Sequence, residues 1–178
     1  MLHLRIELLD VEPAIWRSLR VPASVTLSKL HRIFQITMGW TNSHLHEFRI
    51  GGVRYGVPER DAQDRSVVAE TRIKLVDALN SSVTQFQYAY DFGDGWEHEV
   101  KVETVGSDSQ QPLLCLAGAN SCPPEDVGGP PGYAEFLKAI RSPRHRDHKR
   151  YLTWCGGAFD PAGFDLQGIN QALRSLKS

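Results

Sequence analysis

Two histidines two positions apart, His44 and His46 in MGWTNSHLHEF (38–48), are side chains able to hold a metal ion. On a strand both point the same way, and with a third imidazole, His98, they would offer three nitrogens to a divalent metal. That third histidine lies in YAYDFGDGWEHEVKVE (88–103), which also carries Asp91 and Asp94. A metal-held water set among His44, His46, Asp91, Asp94 and His98 would be the nucleophile of a hydrolase. Nothing in the spacing requires the metal, since histidines two apart also occur in ordinary strands. His98 reads first as a core imidazole satisfied by a hydroxyl or a backbone group, ahead of a ligand role. Cys115 and Cys122, with six residues between them, miss the two-to-four spacing of zinc knuckles.

Two further stretches carry charge in a defined setting. CPPEDVGGPPGY (122–133) holds two Pro-Pro pairs and a Gly-Gly pair, a stiff loop leading into a helix that starts near Tyr133. Glu125 and Asp126 make it either a binding rim or a plain connector. RSPRHRDHKR (141–150) concentrates five Lys or Arg and two His. On a helix these form one solvated face, or a surface for nucleic-acid phosphates.

Periodicity shows which strands and helices carry these residues. LHLRIELL (2–9) alternates, with Leu2, Leu4, Ile6 and Leu8 on one face, and IWRSLRVP (15–22) is a second, shorter strand. From Leu27 the period becomes helical through Leu30, Ile33, Phe34 and Met38, with Ser24 or Thr26 as cap and Gly39 as terminator. HLHEFRI (44–50) and VRYG (53–56) flank a Gly-Gly turn as a hairpin. Residues 57–72 have no sustained period and read as an exposed loop, and LLCLAG (113–118) reads as another strand. The last third is helical. Ser142-Pro143 is expected to open a helix running to Cys155, and Asp165 to cap a final helix with Leu166, Ile169, Leu173 and Leu176 on its buried stripe. The order of elements predicts an α+β fold, a β-grasp-like curled mixed sheet around one helix with added C-terminal helices. It is expected as one domain, 1–118 mainly sheet plus one helix and 119–178 the proline-rich loop and helices packing on it.

Register decides what the 88–103 hairpin presents. A two-residue loop at Asp94-Gly95 would set Asp91 against His98 as a carboxylate–imidazole pair. A three-residue loop at Gly93-Asp94-Gly95 sets Phe92 against Trp96, Tyr90 against His98, Tyr88 against Val100 and Phe86 against Val102, gathering every apolar residue on one face. A one-residue slip inverts the buried side, so the hydrophobic pattern favours the three-residue loop. His98 then faces inward beside a tyrosine, and Asp91, Glu97, Glu99 and Glu103 face outward with Asp94 at the tip. Like charges facing each other, Asp91 against Glu97, cost a little stability and speak for a basic partner or a cation.

Composition bounds the rest. At 178 residues the chain is large enough to bury a core without staples, and three cysteines are an odd number for a disulfide framework. Arg5, Glu7 and Asp10 interrupt any signal-like run, and no stretch approaches the roughly 20 apolar residues of a spanning helix. A cytoplasmic, soluble protein with no membrane partner is expected. A net charge of −1 gives no global attraction to nucleic acid or acidic lipid.

PAIWRSLRVP, TLSKLHRIFQITMGW with HLHEF, YAYDFGDGWEHEV, CPPEDVGGPPGY and FDPAGFDLQGIN together resemble the plasmid pRiA4b ORF-3-like family, in the same order and over almost the whole chain. The resemblance implies a bacterial or archaeal protein, sometimes linked to plasmids and mobile elements. The resolvase label attached to some members finds no help in these residues, which show no serine nucleophile set among arginines and no helix-turn-helix pattern. Members often have cysteine where Val127 stands, which argues against a metal or disulfide role for that loop. Two functions stay open. One is a binding or adaptor module recognising a protein or nucleic-acid partner through Asp91, Asp94, Trp96, Glu125, Asp126 and Tyr133. The other is the metal-dependent hydrolase, with His44, His46 and His98 as its metal ligands. No nucleophile–base pair at a recognisable spacing and no phosphate-cradling glycine loop is present, which favours the module.

Overall fold

The computed structural model describes residues 1–58, 66–80, 83–104 and 112–176. Eight strands form one sheet: β1 (Leu2–Leu8), β2 (Ile15–Val21), β3 (His46–Ile50), β4 (Val53–Gly56), β5 (Val67–Ala69), β6 (Gln85–Tyr90), β7 (Trp96–Thr104) and β8 (Leu114–Ala119). Their order is β5-β4-β3-β6-β7-β1-β2-β8, with only β4–β5 parallel. Five α-helices accompany them: α1 (Leu27–Met38), α2 (Leu75–Leu79), α3 (Gly129–Arg141), α4 (His148–Trp154) and α5 (Leu166–Ser175). No described helix is long and apolar enough to cross a membrane.

Alternation in β1, β2 and β7 gives the sheet one apolar face and one polar face. The apolar face is covered by α1, whose Leu27, Leu30, Ile33, Phe34 and Met38 are buried as the helical spacing predicts. The Thr26 hydroxyl accepts from the Lys29 N–H at the start of α1, and Gly39 ends it in the left-handed conformation. The Phe34 ring meets Tyr88 edge-on at 5.1 Å and lies 6.1 Å from Phe48, joining helix to sheet at the core's centre. Arg17, buried on the inner face of β2, donates to the carbonyls of Thr37, Trp16, Ala119 and Asn120 at 2.7–2.8 Å. It ties the end of α1 to the end of β8. At the β8 edge the Asn170 amide of α5 exchanges two 2.9 Å bonds with the backbone of Cys115, standing in for a strand partner.

The polar face is a ladder of compensated charges. Arg5 pairs with Glu7 at 3.0 Å, Lys101 with Glu99 at 3.0 Å, and Arg49 with Glu47 at 2.8 Å and Glu97 at 3.3 Å. Glu47 also binds Arg54 at 2.7 Å. Burial alone would raise the Glu47 carboxyl's pKa, but the bonds from Arg54 and Arg49 outweigh it and hold the pKa below the usual carboxylate value.

Several expectations are corrected. The α+β class stands, whereas the β-grasp detail is not confirmed by this mostly antiparallel eight-stranded sheet. In the hairpin, Tyr90 pairs with Trp96, Tyr88 with His98 and Phe86 with Val100, two residues from the expected register. The connection is residues 91–95, because Asp91 turns into the left-handed region at φ 53° and its Oδ1 accepts the N–H groups of Gly93 and Asp94. Phe92 is consequently 56% exposed, Asp91 is buried, and Ala89, not Asp91, faces Glu97. The Pro130-Pro131 pair occupies the first turn of α3, where missing N–H groups cost nothing, so that helix begins before Tyr133. Residues 142–147 form turns, with the His145 N–H on the Ser142 carbonyl and the His148 N–H on the His145 carbonyl, so Ser142-Pro143 opens no helix. Of the expected 57–72 loop, 59–65 lie outside the described residues, while Val67–Ala69 is strand β5 and Glu70–Arg72 a 3₁₀ turn.

Truncation separates this register from the expected one. Phe34→Ala is expected to cost about 3–5 kcal/mol in urea unfolding, and Phe92→Ala less than about 0.5 kcal/mol. A loss at Phe92 comparable to that at Phe34 would show that its ring is packed after all.

Candidate functional site

Three segments distant in the chain meet beyond one end of the hairpin: residues 39–45 after α1, residues 91–95 between β6 and β7, and residues 123–129 before α3. Trp40 starts the junction. Gly39 turns the chain so that the indole lies inward, stacked 4.9 Å from Tyr90 and 6.2 Å from Trp96, while its N–H donates to the Pro123 carbonyl at 3.0 Å. The Tyr90 hydroxyl accepts from the Ser43 N–H at 3.1 Å and donates to Glu125 at 2.6 Å. Glu125 also accepts the backbone N–H and the hydroxyl of Thr41. Burial alone would raise the Glu125 pKa, yet these bonds from Thr41 and Tyr90 prevail and lower it. On the other side Asp94 accepts the Gly128 N–H at 3.1 Å, and a β-carbon on Gly129 would lie only 2.3 Å from the Asp94 carbonyl oxygen. Only glycine permits the hairpin tip to seat this closely.

The junction brings three metal-ligating side chains together. The His44 Nε2 lies 3.5 Å from Asp91 Oδ2 and 3.2 Å from Asp126 Oδ1, and one donor atom from each residue falls within 4.8 Å of the others. Despite these short distances, Nε2 is a buried atom that makes no hydrogen bond among the described residues. Asp91 is fixed by its turn and by its N–H on the Leu45 carbonyl, and Asp126 holds a left-handed backbone at φ 60°. Asp126 came with the proline-rich loop in the sequence; nothing in chain spacing ties it to His44.

The expected trio His44, His46 and His98 does not assemble. His44 precedes β3, so the two-residue rule for strand side chains does not apply to it. His46 begins β3 and stacks on His31 of α1, with ring centroids 3.4 Å apart and planes within 3°; its Nε2 meets buried Glu70 at 2.9 Å. His31 Nδ1 meets the Tyr88 hydroxyl at 2.8 Å, and its Nε2 meets Asn42 Oδ1. The Gln35 amide closes the circuit, donating to the same hydroxyl at 3.1 Å and accepting the Asn42 N–H at 2.9 Å. Burial, then the neighbouring His46, lowers the His31 pKa to about 4, leaving a neutral ring. The sequence signal for this missed network was two polar residues, His31 and Gln35, among the apolar positions of α1.

His98 is fully buried, with Nδ1 3.0 Å from the Tyr88 carbonyl, its ring edge-on to Trp40 at 5.4 Å, and Nε2 without a partner among the described residues. Trp96 and Tyr133, expected at a binding surface, are both interior; the Tyr133 ring lies 6.2 Å from Phe136 and its hydroxyl has no partner among the described residues. Asp94 is spent on Gly128. Among the expected site residues the structure therefore joins His44, Asp91 and Asp126, with Glu125 and Asp94 bracing them. The cysteines are free, and burial pushes the Cys115 and Cys122 thiols up to about 11 and about 12.

Asp126 also lines a cavity of about 290 Å³ with Val127, Arg150, Tyr151 and Trp154. The Arg150 guanidinium lies 4.8 Å from the centre of the Tyr151 ring, and Trp154 is 46% exposed. Arg141, Arg144, Arg146 and Lys149 are exposed on the same stretch.

These features define an α+β protein with a mixed, mostly antiparallel sheet and a three-loop junction at one end. The family model of the plasmid pRiA4b ORF-3-like protein matches residues 1–168, and the chain belongs to that family. The uncharacterized protein y4hQ of Sinorhizobium fredii is 42% identical over 182 residues, covering 99% of this chain and 92% of the relative. A crystal structure of a protein of unknown function, MM3350 from Methanosarcina mazei, superposes with a TM-score of 0.82 at 32% identity, covering 93% of this chain and 95% of that one.

Burial lowers the pKa of His98 from 6.5 to about 4, against the raising effect of its backbone bonds. The unfolded chain therefore takes up a proton that the folded chain refuses. The penalty begins as pH falls below 6.5 and is complete below about 4. Between pH 7 and 4.5, wild type should lose roughly 2–3 kcal/mol more unfolding free energy than His98→Gln. Equal losses in urea titrations would mean that His98 already charges in the fold.

Proposed function

We propose that the chain is a binding module whose ligand is single-stranded nucleic acid, taken up at the cavity beside the three-loop junction. The observation that carries this is the grouping of Arg150, Tyr151 and exposed Trp154 around one cavity. Aromatic faces for base stacking beside guanidinium groups for phosphate are the two requirements of sequence-tolerant single-strand binding. Arg141, Arg144 and Lys149 add exposed positive charge on the same stretch, Arg146 and Arg150 share Asp147 at 3.1 and 3.4 Å, and the whole chain carries only −1. A protein partner drawn to the acids of the sheet's polar face has less support, because Glu47, Glu97 and Glu99 are already paired with Arg49, Arg54 and Lys101. The five-residue hydrolase centre also has less support, since His46 and His98 are engaged elsewhere and only His44 and Asp91 of the five come together.

The test is fluorescence anisotropy with labelled single-stranded DNA and RNA, and duplex of equal length as control. Trp154→Ala and Arg150→Ala should each weaken single-strand binding about tenfold, and affinity should fall as salt rises. Unchanged affinity in both variants, or no saturable binding by wild type at low salt, overturns this function; a basic or acidic peptide that binds instead would assign the surface to a protein partner.

A further inference from the structure

We infer that His44, Asp91 and Asp126 form a site for a divalent transition-metal cation. The donors are one imidazole nitrogen and two carboxylate oxygens, a set that suits Zn²⁺ or Mn²⁺ and, because of the imidazole, disfavours Mg²⁺. Two of the three separations fit, and the two carboxylate oxygens lie within 4.8 Å of each other. Donors bound about 2.0–2.2 Å from one ion lie roughly 3.0–3.5 Å apart in a tetrahedral or octahedral shell, and Nε2 sits 3.2 and 3.5 Å from the two carboxylate oxygens. These distances alone would describe an imidazolium held by two acids. Against such a pair, His44 Nε2 is a buried atom that makes no hydrogen bond to either oxygen. A single cation between the three groups satisfies that nitrogen and screens the two carboxylates from each other.

The surroundings leave the donors available. Asp91 uses Oδ1 for the turn, which frees Oδ2 for the cluster, and Asp126 is exposed enough to adjust. Glu125 is occupied by Thr41 and Tyr90, so it contributes charge nearby and no bond. Val127 brings no thiolate to the loop; the ligand is its neighbour Asp126, which also lines the Arg150 cavity. With three protein ligands the cation keeps positions open to water or to an oxygen of a bound partner.

The site is tested without nucleic acid, so its outcome is independent of the proposed function. Tag-free, EDTA-treated protein is titrated calorimetrically with ZnCl₂, MnCl₂ and MgCl₂. Zn²⁺ or Mn²⁺ should bind one per chain and, at a hundredfold excess over Kd, raise Tm by roughly 5–10 °C. His44→Ala and Asp126→Asn should each lose about tenfold or more in affinity while keeping the wild-type circular dichroism. Asp126→Asn, at an exposed position, keeps the test valid should His44→Ala fail to fold. No one-to-one binding below about 100 μM, binding undiminished in Asp126→Asn, or equal affinity for Mg²⁺ would overturn the assignment.

Discussion

The hydroxyl of Tyr90 is the point on which the junction depends. It is the last residue of β6, its ring is held between sheet and Trp40, and its oxygen both accepts from the segment after α1 and donates to the segment before α3. Charge-assisted bonds of this kind are stronger than neutral ones. Burial first, and then the Glu125 carboxylate, raise the phenol's pKa above its usual value, so it remains a donor throughout the physiological range. Without that oxygen, Glu125 would keep only Thr41, and the Ser43 N–H would lose its acceptor.

Around this point the fold separates two kinds of polar group. On the open face, charges are paired at the surface, where each pair contributes little to stability but leaves no field to attract a partner. Inside, polar side chains form bonded circuits: Arg17 on four carbonyls, and His31, Gln35, Tyr88 and Asn42 on one another. Such buried networks fix one arrangement of the elements because any half-made alternative strands a polar atom. The interior atoms left over, at His44, His98 and Tyr133, stand out against that background. Of these, His44 faces groups that could share a ligand.

Much of the fold is legible from period and caps. Leu27 to Met38 with Thr26 and Gly39, and Asp165 ahead of Leu166, read directly as the helices that form. The hairpin shows where legibility ends. Alternation distinguishes registers that differ by one residue, but a shift of two keeps the same side chains on each face, so rings inside and acids outside fit both. The choice falls to the turn, and there Asp91 caps its own loop and leaves Phe92 outside. The site was half legible for a related reason. Types could be listed, and His44, Asp91 and Asp126 were among them, but their meeting depends on Trp40 reaching Pro123 and on Gly129 admitting Asp94, long-range contacts that leave no periodic trace.

The bond from the Trp40 indole to the Pro123 carbonyl has a consequence for synthesis. During translation the strands through β7 and helix α1 emerge well before residue 123, so a nascent sheet carries Trp40 and Tyr90 with no lid over them. Closure of the proline-rich segment is thus a late event, and for that interval the aromatic pair is a sticky surface open to chaperones.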